Sequence, residues 1–455
     1  MNVHNSIDKN AALRARDLAT LWHPCTQMHD HERVPLIPIA RGEGAWLIDH
    51  NGKRYLDAVS SWWTNIFGHA NARIAAALKE QADRLEHVIF AGFSHEPAIE
   101  LAEELLRVAP PGFARVFFAD NGSSAVEVAL KMSFHYWRNT GQPGKKRFIA
   151  LTGSYHGETL GALSVTDVPL YRATYAPLLL DPIFVASPDC FAREPEQSWE
   201  SHSRAKLADM RRALEQHAHE VCAVIVEPLV QCAGGMRMYH PTYLSGLREL
   251  CDEFDVHLIA DEIAVGFGRT GTLFACEQAG ITPDFMCLSK GLTGGFMPLS
   301  AVLTNADVYA AFYAEYASGK AFLHSHSYTG NPLACSVALA TLWIFRDEPV
   351  LQRNRELAAH LQRRLAPLSD HPHVADVRQT GMIAAVELVG DKKSGTAFAP
   401  TDRRGLRAYL HALERGVLLR PLGDVIYFMP PYVVTADEID LMVDTAISGI
   451  ERAVA

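Results

Sequence analysis

The sequence predicts an α/β fold, with a mostly parallel central sheet covered by helices on both faces and a smaller α+β unit beside it. Three observations carry this. Between residues 70 and 330, short apolar runs alternate with helical patterns. The runs are near-continuously apolar, as strands buried on both faces require. After about residue 335 the strand–helix alternation of a parallel sheet gives way to paired helices and isolated strands.

In chain order, a short helical pattern precedes "GAWLIDHNGKRYLDAVS" (44–60), which reads as a hairpin with Asn51-Gly52 as a type I′ turn. The strand candidates of the large unit are "RVFFAD", "RFIAL", "VCAVIVEP", "VHLIADEI", "FMCLSKG" and "LSAVLT". Then come the helices "LACSVALATLWIF" and "LAAHLQRRLAPL", the strand "MIAAVELV", the helix "RRGLRAYLHALERG", the strand "VIYFMPP" and a terminal helix from Asp437. This divides the chain into residues 66–334, a large domain, and residues 1–65 with 335–455, the two parts of a small one.

Composition narrows the function. With 455 residues, 48% hydrophobic and 21% charged, the chain can bury a large core. A formal net charge of -10 leaves no footprint for nucleic acid or an anionic membrane. Eight cysteines without a C-x-x-C point to reduced thiols. The N-terminal "MNVHNSIDKNAALRARDLATLW" lacks an apolar h-region, and no run approaches 18 apolar residues, so a soluble, cytoplasmic protein is expected. The pairs His29/His31, His217/His219, His324/His326 and His371/His373 lie apart from any cysteine or carboxylate at ligand spacing, so no metal is expected.

"ADEIAVGFGRTG" (260–271) contains G-x-G-x-x-G, the fingerprint of a dinucleotide loop. That motif must open a helix, with an acid on the next strand. Here "TLFACEQAGITPD" holds two helical turns at most, and the next strand ends in Lys290. Lys290 follows Asp261 by 29 residues, both at predicted strand ends. A buried lysine can lose its proton and attack a carbonyl as a neutral amine. An aspartate can keep a pyridinium nitrogen protonated, making the ring an electron sink. Together they point to pyridoxal 5′-phosphate.

Two more strand ends fit. "ADNGSSAVEVALKMSFHYW" places Gly122, Ser123 and Ser124 at a helix start, where free N–H groups and hydroxyls make an anion site; Val126, Ala129, Leu130, Phe134 and Trp137 share the helix's apolar face. "TGSYHGETLGALS" presents Tyr155 and His156, and an aromatic ring there can stack on a pyridine.

These segments resemble the class III, or ω-, aminotransferases of the fold-type I pyridoxal phosphate family. "NGSSAVEVALKM", "SYHGETLGALSV", "VEPLVQCAGG", "DEIAVGFGRTG", "LSKGLTGG" and "HSYTGNPLAC" stand in the family's order across essentially the whole chain. The resemblance implies that Lys290 bonds the cofactor and Asp261 holds its pyridine nitrogen. It implies that Tyr155 stacks on the ring, with His156 beside it, and that Gly122, Ser123 and Ser124 bind phosphate. Ser327, in "HSHSYTGNP", matches a hydroxyl reaching the phosphate from the neighbouring subunit of a homodimer whose active sites lie at the interface. "LWHPCTQM", "SSWW", "GGMRMYHP" and "LRPLGDVIYFMPP" resemble the branch that aminates a long-chain keto acid. Trp62, Trp63, Arg269, Arg420 and Tyr427 match its substrate pocket, with Arg420 as the carboxylate receptor. Two positions depart from the pattern: Cys25 stands where a tyrosine is usual, and Glu158 where aspartate is. The motifs divide between adenosylmethionine and lysine as amino donor, with adenosylmethionine the expected one and lysine the alternative; other ω-aminotransferases (4-aminobutyrate, ornithine or diamine specific) share the cofactor residues.

Overall fold

A computed structural model describes residues 8–455; residues 1–7, where the N-terminal reading begins, lie outside the described residues. The large sheet has the order Phe113–Ala119, Ser300–Asn305, Phe285–Leu288, His257–Asp261, Val221–Val226, Arg147–Leu151, Ile183–Val185. Ser300–Asn305 runs antiparallel to both neighbours, and the other pairings are parallel.

The apolar runs explain the layering. Every residue of Val221–Val226, His257–Asp261 and Phe285–Leu288 is buried. Alternate side chains sort into two cores. Phe148, Ala150, Ile225, Ile259, Phe285 and Cys287 pack with the helix Gly122–Asn139. Ile149, Val224, Leu258, Met286 and Leu288 pack in the core that holds Met210 and Leu214 of the helix Trp199–His217 and Leu247 of the helix Thr242–Glu253. Each fully buried aliphatic side chain contributes roughly 1.5–3 kcal/mol, so the two-sided burial of such short strands holds the sheet.

The remaining strands form smaller sheets. Ile39–Glu43, Trp46–Asp49 and Arg54–Asp57 form an antiparallel set to which Val417–Leu418, from the other end of the chain, adds in parallel. Val374–Thr380, Ile383–Leu388 and Val425–Phe428 make an antiparallel sheet, covered by helices that include Val350–Leu365 and Ala436–Val454.

The hairpin at Asn51-Gly52 forms, but not with a type I′ turn. Asp49 pairs with Lys53 through its N–H, enclosing three residues of which only Gly52 has positive φ (+87°). The Asp49 carboxylate accepts the N–H groups of Asn51 and Lys53 at 2.9 Å each, which favours the longer loop over the two-residue form.

Candidate active site

Five loops at the carboxyl ends of parallel strands converge on a cavity of about 360 Å3, where ligands of open α/β sheets bind. Its lining includes Gly122, Ser123, Tyr155, His156, Glu227, Asp261 and Lys290. Four strand ends predicted separately from the sequence therefore meet in one place, joined by Glu227 at the end of Val221–Val226.

Asp261 is fixed from two sides. Its Oδ2 lies 2.8 Å from His156 Nδ1, and its Oδ1 accepts the Ile263 N–H at 3.1 Å. His156 is 2% exposed, and its Nε2 has no partner. Glu227 spans two loops, accepting the N–H groups of Tyr155 and Cys232 at 2.9 Å each. Burial, with the Asp261 charge adding to it, pushes the Glu227 carboxyl up to about 7, against the nearby His156 and these two N–H bonds.

Lys290 follows the strand Phe285–Leu288 with φ +45°, a left-handed conformation that costs a non-glycine residue about 1–2 kcal/mol. Its Nζ lies 4.4 Å from the centre of the Trp63 ring. Burial pulls the ammonium below its ordinary value, opposed by Cys232, Asp261 and Glu227 and reinforced by Arg269. A neutral amine is what nucleophilic attack on an aldehyde needs.

The helix Gly122–Asn139 begins at the cavity. Its first N–H groups have no intrahelical acceptor, and together with the dipole they favour an anion. Asn121 caps it by accepting the Ser124 N–H at 3.0 Å, while the Ser124 hydroxyl donates to Asp120 and Ser123 Oγ accepts the Glu158 N–H. Gly157 crosses this helix end with φ +123°; a Cβ there would lie 2.0 Å from Ser123 Oγ.

The outer wall is aromatic. The Tyr155 hydroxyl donates to Glu158 at 2.8 Å, and burial, then this bond, raises its pKa far above the ordinary phenol value. Tyr171 meets Tyr155 edge to face at 5.4 Å and has the Cys25 thiol 3.7 Å from its hydroxyl. Nothing in the spacing of "VPLYRATY" marks Tyr171 for the site, because it lies in a short helix away from the strand ends. Trp62, at 42% exposure, stacks under the Arg420 guanidinium at 4.2 Å. Arg420 lines a neighbouring cavity of about 1030 Å3, which meets the first at Cys25.

Five predicted residues do not line the smaller cavity, Arg420 and four others. Ser124 lies one residue inside the helix end, and Ser327 is exposed in a turn. Tyr427 is buried behind Trp63, whose Nε1 donates to its hydroxyl at 3.1 Å. Arg269 is 1% exposed, and its guanidinium donates to the carbonyls of Trp63 (3.4 Å), Met429 (3.2 Å) and Pro430 (2.6 Å).

The arrangement suits pyridoxal phosphate. A half-buried lysine in the cavity wall, an anchored aspartate, a histidine with an unpartnered buried nitrogen and an open helix N-terminus offer one partner to each polar end of that molecule. Residues 27–450 match the family described as aminotransferase class-III. The chain belongs to that family. It is a pyridoxal-phosphate-dependent aminotransferase. The chain is 48% identical to the adenosylmethionine-8-amino-7-oxononanoate aminotransferase of Geobacter sulfurreducens, across 97% of both chains. It is 48% identical to the Helicobacter pylori enzyme of the same name, over 94% of this chain and 95% of that one. The crystal structure of the Methanocaldococcus jannaschii enzyme so named superposes with a TM-score of 0.92 at 38% identity, covering 97% and 99% of the two chains. An omega transaminase from Pseudomonas jessenii, solved in complex with PMP, superposes equally well at 32% identity, over 97% and 98%.

Proposed function

We propose that this class-III aminotransferase moves an amino group from S-adenosylmethionine to the keto group of 8-amino-7-oxononanoate, giving 7,8-diaminononanoate for biotin synthesis. The observation that carries the reading is the juxtaposition of a pyridoxal phosphate site with an aromatic wall ending in an arginine. Trp63 lies against the lysine, Trp62 lines the same cavity, and Arg420, stacked on Trp62, lines the larger cavity beside it. A long apolar chain with a terminal carboxylate fits such a slot. The names of relatives aligned over nearly the full chain support the donor and the product.

The bound cofactor supplies an electron sink, its protonated pyridine ring accepting the electron pair released when a C–H bond beside the nitrogen breaks. The protein does the rest. Asp261, oriented by His156, holds the proton on the ring nitrogen. Gly122 and Ser123 would hold the phosphate at the helix end, with Ser327 of the partner subunit reaching it in a cytoplasmic homodimer. Tyr155 covers the ring, and Glu227 fixes its loop through the Tyr155 N–H. Lys290 Nζ, free of the cofactor while substrate is bound, would take the proton from the donor's amine-bearing carbon. In the second half it would return a proton to the acceptor's former keto carbon, the keto oxygen having left as water. Arg420 binds the acceptor's carboxylate bidentately, and one pocket serves both substrates in turn, so the kinetics are ping-pong.

The test is direct. Holoenzyme mixed with 8-amino-7-oxononanoate and adenosylmethionine should form diaminononanoate. Product with lysine alone would reassign the donor, and no product with either would reassign the chain to another ω-aminotransferase specificity.

A further inference from the structure

Residues 60–63, "SSWW", form one turn of left-handed helix. Ser60, Ser61, Trp62 and Trp63 have φ of 50°, 46°, 75° and 73°. Four consecutive non-glycine residues in this region persist only where the surroundings over-determine them, and such strain gathers at functional sites. Both tryptophans line the cavity, and the second lies against Lys290.

Two buried charges of opposite sign hold the turn. On its N-terminal side Asp57, fully buried, accepts the N–H groups of Val59 (3.2 Å) and Ser61 (3.0 Å) and the Ser61 hydroxyl (2.7 Å). His69 Nε2 meets the same carboxylate at 3.0 Å, and Asn65 holds the other ring nitrogen. On its C-terminal side Arg269 donates to the Trp63 carbonyl and, with the same guanidinium, to the Met429 and Pro430 carbonyls. Ser60 Oγ donates to the Met429 carbonyl at 2.8 Å, closing the ring of bonds. The guanidinium also packs over the Tyr432 ring at 5.0 Å. Among the described residues no carboxylate lies within ion-pair distance of Arg269.

An arginine that receives a substrate's carboxylate must keep its fork free, since the bidentate geometry uses two parallel N–H groups. Arg269 has spent its terminal nitrogens on main-chain carbonyls from two segments far apart in sequence, and it lies outside the cavity lining. We infer that Arg269 is a positioning residue: with Asp57 it clamps the left-handed tryptophan turn, so that Trp63 closes over Lys290 and Trp62 lies under Arg420. This rests on reading Lys290 as the lysine that bonds the cofactor.

The experiment compares native holoenzyme with Arg269→Met, Arg269→Lys and Asp57→Asn. Three quantities are read: kcat, the KM of each substrate, and the pH midpoint of the cofactor's visible absorption band. With the clamp broken, kcat should fall about 100-fold in Arg269→Met, the scale of an ångström-sized misplacement, while each KM changes little. The visible-band midpoint should move upward, because water reaches the lysine linkage once Trp63 lifts. Asp57→Asn should move the midpoint the same way from the opposite side of the turn, and Arg269→Lys, retaining one donor nitrogen in place of two, should fall between. A rise in the KM of the carboxylate substrate alone, with kcat and midpoint unchanged, would overturn the inference and make Arg269 an anion receptor. If Arg269→Met does not fold, an unmoved midpoint in both other variants overturns it equally. Lys290→Ala separates the premise: a visible titrating band surviving in that variant removes the reading of Lys290, independently of the clamp.

Discussion

At the residue scale the site rests on what burial does to charge. Lys290 sits among Cys232, Asp261 and Glu227, and burial outweighs their attraction, so its ammonium is held below the ordinary value. Replacing Lys290 with alanine should abolish the visible band and lower turnover by at least about 1000-fold, since both the attachment and the proton carrier are lost; unchanged turnover by direct product assay would refute its role. Glu227 gives a signed pH prediction. Its carboxyl is raised from 4.5 to about 7 in the folded chain, so the native state binds a proton that the unfolded state has released. Its contribution is therefore fully present below 4.5 and is lost as pH rises through about 7. In cofactor-free protein, the native chain should lose on the order of 3 kcal/mol relative to Glu227→Gln across that window. Denaturant midpoints of both proteins measured from pH 5 to pH 8 give the difference, and a pH-independent gap would refute it.

At the scale of elements, the contact between the Tyr155–Gly157 loop and the helix Gly122–Asn139 decides phosphate affinity. A Cβ on Gly157 would meet Ser123 Oγ at 2.0 Å and also require a left-handed backbone, so Gly157→Ala must push the loop off the helix end. The expected result is a loss of cofactor affinity of about 10- to 100-fold, or roughly 1.4–2.8 kcal/mol, read by equilibrium dialysis of pyridoxal phosphate. These elements were legible because a buried strand followed by a glycine-rich loop is a local signal, and four such signals in order are specific. Less was legible elsewhere, for physical reasons. Val374–Thr380, "VADVRQT", carries polar residues at most positions and takes its strand conformation from pairing with Ile383–Leu388. Val417–Leu418 and Ile183–Val185 are too short for any periodicity to show. The left-handed turn at "SSWW" is imposed by Asp57 and Arg269, one of them more than 200 residues away in sequence, so no local propensity reports it. Arg269 itself was visible as an arginine in a glycine loop, but which way its fork points depends on Met429 and Pro430.

At the scale of the whole molecule, distant parts of the chain are tied together by a small number of buried charges. Arg378, with a side chain 1% exposed, lies on Val374–Thr380 and donates to the carbonyls of Met236 (2.7 Å) and Gly235 (2.6 Å) in the loop beyond Glu227. Glu387, on the neighbouring strand, accepts from Arg378 at 2.7 Å and from Arg237 at 2.9 Å. Asp376 adds a second carboxylate at 3.1 Å from Arg378. One guanidinium thus joins the C-terminal sheet to the loop whose Cys232 N–H holds Glu227 beside the cavity. Arg378 is buried and its partners half-buried, so removing one member costs more than the pair contributes, because a charge loses its compensation. Glu387→Ala leaves Arg237 with Asp189 alone, at 3.6 Å, and Arg378 with Asp376 alone, so a loss of about 2 kcal/mol is expected, within what a hydrogen bond to a charged group contributes. Replacing the whole set with uncharged residues, as in Arg378→Met, Glu387→Leu and Arg237→Met together with Asp376→Asn and Asp189→Asn, should recover much of that stability, since the desolvation cost disappears with the charges. Geometry at Glu227 would still suffer in that variant, because the carbonyls of Gly235 and Met236 lose their donors. Stability and turnover should therefore separate: the denaturation midpoint returns toward native while kcat stays depressed. Parallel recovery of both would mean that the network supports the fold alone and has no hold on the catalytic loop.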